Sequence, residues 1–153
     1  MQTFLPYRDF TKSARALDDR RLGKQRVETL QVLRAITRPG YGWRHHPAVL
    51  MWRGYEEALG RYGIEVCREW KRRGHADTCE AKILDEVHTL GIEDVRTQRQ
   101  LTTAGALPAW LGDRSFHRSH RSALARKDPT YATRFADADP ALPYVWPVRR
   151  VAQ

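Results

Sequence analysis

The residues best suited to chemistry lie in the stretch LDDRRLGKQRVETLQVLRAI, residues 17–36. Arg21, Lys24, Gln25 and Glu28 recur at three- and four-residue intervals, so they share one face of a helix. A carboxylate framed by cations is stabilised in its charged form, which suits anion binding or a catalytic carboxylate. Lys24 and Glu28 also have the spacing of an ordinary surface ion pair, and on spacing alone this second interpretation is preferred.

A second candidate site is the histidine pair His117 and His120, which lie three residues apart on one predicted helix. Together with His45 or His46 they have the donor atoms for a metal site. No third ligand follows at a recognised spacing, and the surrounding arginines repel a cation. We therefore predict no metal and no cofactor, and base or phosphate contacts for these histidines.

The loop TRPGYGWRHH, residues 37–46, alternates aromatic and cationic side chains. Exposed rings beside cations suit stacking on bases next to phosphate contacts. Tyr41 and Trp43 would equally serve to cover the edge of the core. The sequence leaves both interpretations open.

The helix that carries Glu28 is predicted from the spacing of its apolar residues. These residues recur at three- to five-residue steps and should face a core. They are Leu22, Val27, Leu30, Leu33 and Ile36. Asp18 or Asp19 stands where an N-cap belongs, and Pro39 with Gly40 ends the helix.

Further helices follow from the same signals. Pro47 suits the first turn of a helix whose apolar pattern runs over residues 48–73, with Trp52 and Trp70 in the core. Another helix is predicted over residues 77–90, with Ala81 and Leu90 among its inward residues, and one or two turns within residues 92–106. Asp113 should cap a helix over residues 114–126.

The chain ends are predicted to be extended. Residues 1–10 contain Pro6 and apolar anchors, and Thr11 should cap a short helix that ends at residue 17. After a short helix carrying Tyr131 and Phe135, the proline-rich tail over residues 138–150 should form a strap. No strand-like alternation persists, so the sequence predicts one all-α domain over residues 1–153, a compact bundle of about five to seven helices.

The composition points to an anionic partner. The chain of 153 residues carries a net charge of +9, mostly from arginine. Arginine binds phosphate with paired hydrogen bonds and stacks on bases, so nucleic acid is the first candidate. A solvated arginine-rich surface is the alternative. No apolar run is long enough to span a membrane and no secretion signal is present.

We therefore expect a cytoplasmic monomer with no membrane partner. Cys67 and Cys79 lack a CxxC spacing and should be free thiols, with Cys67 buried.

Three stretches carry a resemblance to a known family: LDDRRLGKQRVETLQ, HPAVLMWRGYEEALGRYGIEVCREWKRRGHAD, and SHRSALARKDPTYATRF with LPYVWP. They resemble the phage-type pyrimidine dimer DNA glycosylases, with a closer likeness to an actinobacterial branch. Members are small all-helical proteins that excise one half of an ultraviolet-induced dimer and then nick the abasic strand. The resemblance implies a DNA glycosylase with abasic-site lyase activity on damaged duplex DNA, associated with the nucleoid of a bacterium.

The resemblance also implies site residues. The catalytic glutamate of the family falls on Glu28, with Asp19 and Leu22 as the Asp-x-x-Leu signature before it. The late phosphate-binding residues fall on Arg121 and on Arg126 or Lys127, and the aromatic DNA contacts on Tyr131 and Phe135. The full set expected to contact DNA is Arg20, Arg21, Arg26, Arg44, His45, His46, His117, Arg118, His120, Arg121, Arg126, Lys127 and Tyr131.

The chain departs from the family at its nucleophile, which is the α-amine of a threonine exposed by removal of Met1. Here the second residue is Gln2, whose side chain is too large for Met1 to be removed routinely. An α-amine has an ordinary pKa of about 8, so Met1 itself remains a candidate. Trimming to Thr3 and a Schiff base on Lys24, with a pKa lowered by neighbouring arginines, are the other amine routes.

Two further interpretations remain. Loss of the lyase chemistry would leave a non-catalytic nucleic-acid-binding protein on the same scaffold. The histidine pairs would allow a metal-dependent nuclease, which is the weakest of the three.

Overall fold

A computed structural model of the chain describes residues 1–148. Within this range there are eight helices and no strand, and five of the helices have seven or more residues. The helices are α1 Phe10–Ala16, α2 Asp19–Thr37, α3 Pro47–Leu50, α4 Glu56–Arg72, α5 Cys79–His88, α6 Gln98–Thr103, α7 Arg114–Lys127 and α8 Tyr131–Arg134. The predicted all-α class is confirmed. The number of helices exceeds the predicted five to seven because the short helices α3, α6 and α8 are present.

Helices α2, α4 and α5 pack against one another, and α1 lies on α4. Gly60 and Gly63 in α4 permit this close approach: a Cβ at Gly63 would lie 2.8 Å from Ile83 Cδ1 and 2.9 Å from Thr29 Cγ2. A Cβ at Gly60 would lie 2.8 Å from Val87 Cγ2. The absence of side chains at two positions therefore sets the spacing between α4 and its neighbours.

The prediction of one helix over residues 48–73 is wrong. The structure has the short α3 followed by α4, with Gly54 between them at φ +92°. Glycine adopts this left-handed conformation without a Cβ clash, so the chain turns here. Trp52 lies in the turn and is fully buried, as predicted, whereas Trp70 is half-buried.

Several residues that were predicted to face the core are exposed. Val27 and Leu90 are exposed, at 43% and 44%, and Ala81 is exposed as well. In α2 the buried set is instead completed by polar residues, among them Gln25 and Thr29. Because α4, α5 and the N-terminal segment all contact α2, its buried face is wider than the apolar stripe indicates.

The helix caps agree only in part with the sequence signals. Asp113 caps α7 by accepting from the Phe116 N–H, as predicted. α1 is capped by Asp9 and not by Thr11. Asp18 precedes α2 but makes no cap hydrogen bond, because its carboxylate accepts from the Tyr131 hydroxyl instead, at 2.5 Å.

The C-terminal segment, residues 136–148, contains turns and no helix or strand, and within it Tyr144 and Trp146 pack against the core while Val145 is 37% exposed. Residues 149 and 150 of the predicted strap lie outside the described residues. Cys67 and Cys79 are free and buried, and burial raises the pKa of the Cys67 thiol. No helix in the described range is long and apolar enough to cross a membrane.

Candidate active site

The N-terminal segment, residues 1–6, contains no helix or strand and is held against α2 by one buried side chain. Gln25 Oε1 accepts from the Phe4 N–H at 3.0 Å, and Gln25 Nε2 donates to the Gln2 carbonyl at 2.8 Å. Gln25 is 1% exposed, so water does not compete for these bonds. A single amide therefore satisfies one donor and one acceptor of a segment that belongs to no sheet.

Two aromatic side chains anchor the same segment from the other side. The Trp52 indole N–H donates to Thr3 Oγ1 at 2.9 Å, and the Tyr62 hydroxyl donates to the Phe4 carbonyl at 2.6 Å. Both rings are fully buried. The segment is thus fixed by residues that lie far from it in the sequence.

Glu28 lies one turn beyond Gln25 on α2, and the anchored segment brings the chain start to it. The Gln2 N–H donates to Glu28 Oε2 at 3.2 Å. Lys24 Nζ lies 3.4 Å from Glu28 Oε1. The Glu28 side chain is 15% exposed, so its carboxylate is sheltered but reachable.

These groups line a cleft of about 440 Å³ between the N-terminal segment, α2, the end of α7 and the C-terminal segment. The cations on its walls are Arg20, Arg21, Lys24 and Lys127. Among its lining residues in the described part of the chain, Glu28 is the only carboxylate. The cleft therefore offers one negative charge inside a positive rim, a setting that suits an anionic substrate and a developing positive charge.

Of the predicted catalytic residues, Met1, Lys24 and Glu28 line this cleft, whereas Thr3 does not. Thr3 is completely buried, and its hydroxyl is occupied by the Trp52 indole.

The predicted DNA contacts divide into those that reach the cleft and those that do not. Arg20, Arg21 and Lys127 line it. Arg26 does not: it pairs with Asp77 at 2.5 Å and lies over the Trp70 ring at 4.5 Å. Its placement is therefore structural, contrary to the expectation for it.

Tyr131, which was expected to contact DNA, is buried. It is 1% exposed, its hydroxyl donates to Asp18, and its ring stacks on Phe135, which is buried as well. Tyr131 thus holds α8 against the start of α2, and neither ring faces solvent.

Three arginines of α7 do not line the Glu28 cleft. Two of them line another cleft, and the third binds the C-terminal segment. Arg118 and Arg121 line a second cleft of about 380 Å³. Arg121 pairs with Asp137 at 2.6 Å, and Arg118 donates to the Asp137 carbonyl at 2.9 Å. Arg126 donates to two carbonyls of the C-terminal segment at 3.2 and 2.9 Å.

His117 and His120 are buried, contrary to the expectation that they contact DNA. His120 Nδ1 accepts from the Leu5 N–H at 2.9 Å, and His117 Nδ1 lies 2.8 Å from the Leu5 carbonyl. His117 Nε2 accepts from the Gly112 N–H at 2.9 Å, which makes Nδ1 the protonated nitrogen. Both rings therefore serve as further anchors of the N-terminal segment.

The burial of His120 predicts a pH dependence of stability. Burial, with a smaller contribution from His117, lowers the pKa of His120 from 6.5 to about 3. Between pH 6.5 and about pH 3, His120 binds a proton in the unfolded chain but not in the folded chain, so the free energy of unfolding falls as the pH falls. Compared with His120→Gln, the wild type should lose about 1.4 kcal/mol more unfolding free energy per pH unit from about pH 5.5 to 4. Urea titrations at several pH values measure this, and parallel pH profiles for the two proteins would contradict it.

The structure separates the two aromatic residues of the loop before α3. Tyr41 packs against the core, whereas Trp43 is 62% exposed. Arg44 and His45 are exposed beside it. His46 is half-buried, and its Nδ1 accepts from the Ala48 N–H at 3.0 Å.

Four residues that line the cleft had no predicted catalytic or DNA-binding role: Gln2, Phe4, Gln25 and Tyr144. Gln25 lies on the predicted face of α2 but is buried, and spacing does not reveal a buried polar residue. Tyr144 lies in the predicted strap. Burial raises its pKa, so the hydroxyl remains protonated at neutral pH.

One of three comparisons with known proteins identifies a family. The family model described as pyrimidine dimer DNA glycosylase matches residues 1–83, a range that includes the N-terminal segment, all of α2 and Glu28. No curated protein and no solved structure matches the chain. The family match covers more than half of the 153 residues, and the chain therefore belongs to the pyrimidine dimer DNA glycosylase family.

Proposed function

We propose that the protein excises a pyrimidine of a dimer in duplex DNA and then cleaves the abasic strand, with Glu28 and an α-amine acting on the same sugar. The observation that carries this proposal is the hydrogen bond between the Gln2 N–H and Glu28 at 3.2 Å. It brings the start of the chain to a sheltered carboxylate inside a positive cleft.

The amine favoured by the geometry is that of Met1. Met1 lines the cleft, one residue from the nitrogen that contacts Glu28. Trimming to Thr3 would remove Gln2 and with it the bonds to Glu28 and to Gln25 Nε2. A Schiff base on Lys24 would require neighbouring arginines whose positive charge lowers the lysine pKa. However, carboxylates balance this charge, because Arg21 pairs with two aspartates and Arg26 with a third.

The proposed reaction proceeds through an imine. The neutral amine attacks C1′ of the damaged nucleotide, the glycosidic bond breaks, and the base leaves with the electron pair and takes up a proton. The sugar ring opens to give the imine. Glu28 stabilises the positive charge that develops on the sugar and removes a C2′ proton, so that the 3′ phosphate is eliminated. Water then hydrolyses the imine and releases the enzyme.

The DNA is proposed to lie across the cleft with its phosphates on Arg20, Arg21, Lys24 and Lys127, which line it. Phosphate contacts of this kind make binding strongly dependent on salt. Taking one nucleotide out of the stack costs a few kcal/mol, and damage to the base lowers that cost.

Sodium borohydride trapping tests the proposal, because it reduces the imine to a stable secondary amine. With dimer-containing duplex and with abasic duplex, we expect a covalent adduct in which the sugar is attached to the N-terminal peptide. Lys24→Ala should still form the adduct, and N-terminal acetylation should abolish it. An adduct on Lys24 would move the nucleophile there, and no adduct with either DNA would exclude the amine mechanism.

A non-catalytic DNA-binding protein is the second candidate, favoured by one observation. Gln2 stands where the family has the threonine that supplies its nucleophile. The trapping experiment distinguishes the two candidates. A non-catalytic protein would bind DNA with an affinity that depends on salt, but it would form no covalent adduct and would cleave neither substrate.

A further inference from the structure

One side chain in the Glu28 cleft has a hydrogen-bond donor that the fold does not use. Gln2 is 5% exposed, and its Oε1 accepts from the Thr3 N–H at 2.9 Å. Its Nε2 is buried and has no hydrogen-bond partner within residues 1–148. No other residue of the cleft in this range has a buried side-chain nitrogen or oxygen without a partner. A buried donor without an acceptor destabilises the folded protein, and such exceptions are expected at functional sites.

Three hydrogen bonds fix Gln2 in this position. Its main-chain N–H donates to Glu28 Oε2 at 3.2 Å, and its carbonyl accepts from Gln25 Nε2 at 2.8 Å. The third bond, from the Thr3 N–H to Oε1, holds the carboxamide itself. The unused donor is therefore oriented before a ligand binds. A ligand that accepts from it gains the hydrogen bond without the entropic cost of ordering the side chain.

The unused nitrogen faces Tyr144 across the cleft. Burial raises the pKa of Tyr144, whereas Arg126 and, more weakly, the Gln2 amide lower it. An amide lowers the pKa of a hydroxyl when its N–H groups point toward the hydroxyl oxygen. The two groups are thus close, but they do not meet the geometry of a hydrogen bond. Both residues line the cleft with Met1 and Glu28, so the donor is directed to the place where the substrate is proposed to react.

The chemistry of the donor indicates which atom it binds. The cations of the cleft suit phosphate oxygens, and these cations are Arg20, Arg21, Lys24 and Lys127. The amide of Gln2 is uncharged and suits a carbonyl oxygen. In a pyrimidine nucleotide the carbonyl oxygen nearest C1′ is O2, because C2 is bonded to the ring nitrogen that carries the sugar. O2 lies at the minor-groove edge of the base, so an amine that reaches C1′ from this groove meets O2 while the base remains stacked.

We propose that Gln2 Nε2 donates a hydrogen bond to O2 of the pyrimidine that is excised. The inference rests on the proposed function, because it takes a pyrimidine nucleotide as the substrate of the Glu28 cleft. When the C1′–N1 bond breaks, its electron pair moves to the base, and N1 and O2 share the negative charge. A fixed donor at O2 stabilises this charge until the base takes up the proton that the attacking amine loses. Gln2 therefore assists release of the base and has no such role at an abasic sugar.

The first arm of the test compares two substrates, one of which lacks O2. Gln2→Met keeps the length of the side chain and removes the donor, and mass spectrometry checks that Met1 is retained. The rate of base release from dimer-containing duplex is divided by the rate of strand cleavage at a preformed abasic site. In Gln2→Met this ratio should fall about tenfold or more, because a fixed donor at a developing negative charge contributes at least such a factor.

The ratio separates this role from a structural one. Gln2→Met also loses the bond from Thr3, which would lower the two rates together and leave their ratio unchanged. An unchanged ratio would therefore overturn the inference. The control is Gln31→Met, because Gln31 is half-buried on α2 and does not line the cleft. It should keep the ratio of the wild type.

The second arm does not require catalysis. In protein made with ¹⁵N-labelled glutamine, the side-chain NH₂ signal of Gln2 is identified by its absence from Gln2→Met. In the Glu28→Gln background, where the substrate persists, dimer-containing duplex should shift this signal, and duplex with a tetrahydrofuran abasic analogue should not. Equal shifts with the two duplexes would overturn the contact with O2. If the wild type neither releases the base nor cleaves the abasic strand, the proposed function fails, and the NMR spectrum still decides whether Gln2 contacts the pyrimidine.

Discussion

Glu28→Gln is expected to lower the rate of dimer excision and strand cleavage by about 10²- to 10⁴-fold while DNA binding is retained. The amide has the shape of the carboxylate and its oxygen can still accept from the Gln2 N–H. It carries no charge to stabilise a positive sugar and takes up no proton. Single-turnover rates on dimer-containing duplex measure the first effect, and anisotropy titrations at two salt concentrations measure the second.

The matched control is Glu93→Gln, which makes the same change at an exposed residue outside the cleft. It should leave both rates within a factor of two. If Glu28→Gln cleaves as fast as this control, Glu28 has no part in the chemistry. If its binding falls in proportion to its rate, the carboxylate acts on complex formation and not on the reacting sugar.

Gln25→Leu is expected to lower the free energy of unfolding by about 2 to 6 kcal/mol and to reduce activity on every substrate. The substitution leaves the Phe4 N–H and the Gln2 carbonyl without their buried partner. Each such loss costs about 1 to 3 kcal/mol. Activity should fall with it, because the released segment no longer brings the chain start to Glu28.

Urea unfolding measures the first effect, and incision rates well below the unfolding transition measure the second. Gln31→Leu provides the control, since Gln31 lies on the same helix and is only half-buried. Its stability should change by no more than about 0.5 kcal/mol. Equal stability of the two variants would show that the Gln25 amide does not hold the N-terminal segment.

The helices were largely predictable because their signals are local. The apolar spacing of α2 correctly placed Leu22, Leu30 and Leu33 in the core, and Asp113 correctly marked the start of α7. The spacing failed at Val27, which is exposed, because neighbouring elements decide how far the buried face extends. It failed also at Gly54, where a left-handed glycine divides a pattern that otherwise suits one helix.

The spacing along α2 singled out Lys24 and Glu28 but favoured a plain surface pair between them, and the resemblance supplied the catalytic role of Glu28 and led to Met1. All three residues line one cleft. Arg26 was expected at the site because the resemblance matches it to one of the family's basic residues on this helix. Its partner Asp77 lies 51 residues away in the sequence, and no local pattern predicts such a pair.

The anchoring of the first residues by distant side chains has a consequence for synthesis. Leu5 is 115 residues from His120 in the sequence, and Thr3 is 49 residues from Trp52. Contacts of such long range form slowly. A nascent chain that stops before α7 has the contacts from Gln25, Trp52 and Tyr62 but lacks those from His117 and His120 to Leu5. The complete cleft thus forms only after Lys127 and Tyr144 have followed the region shared with the family.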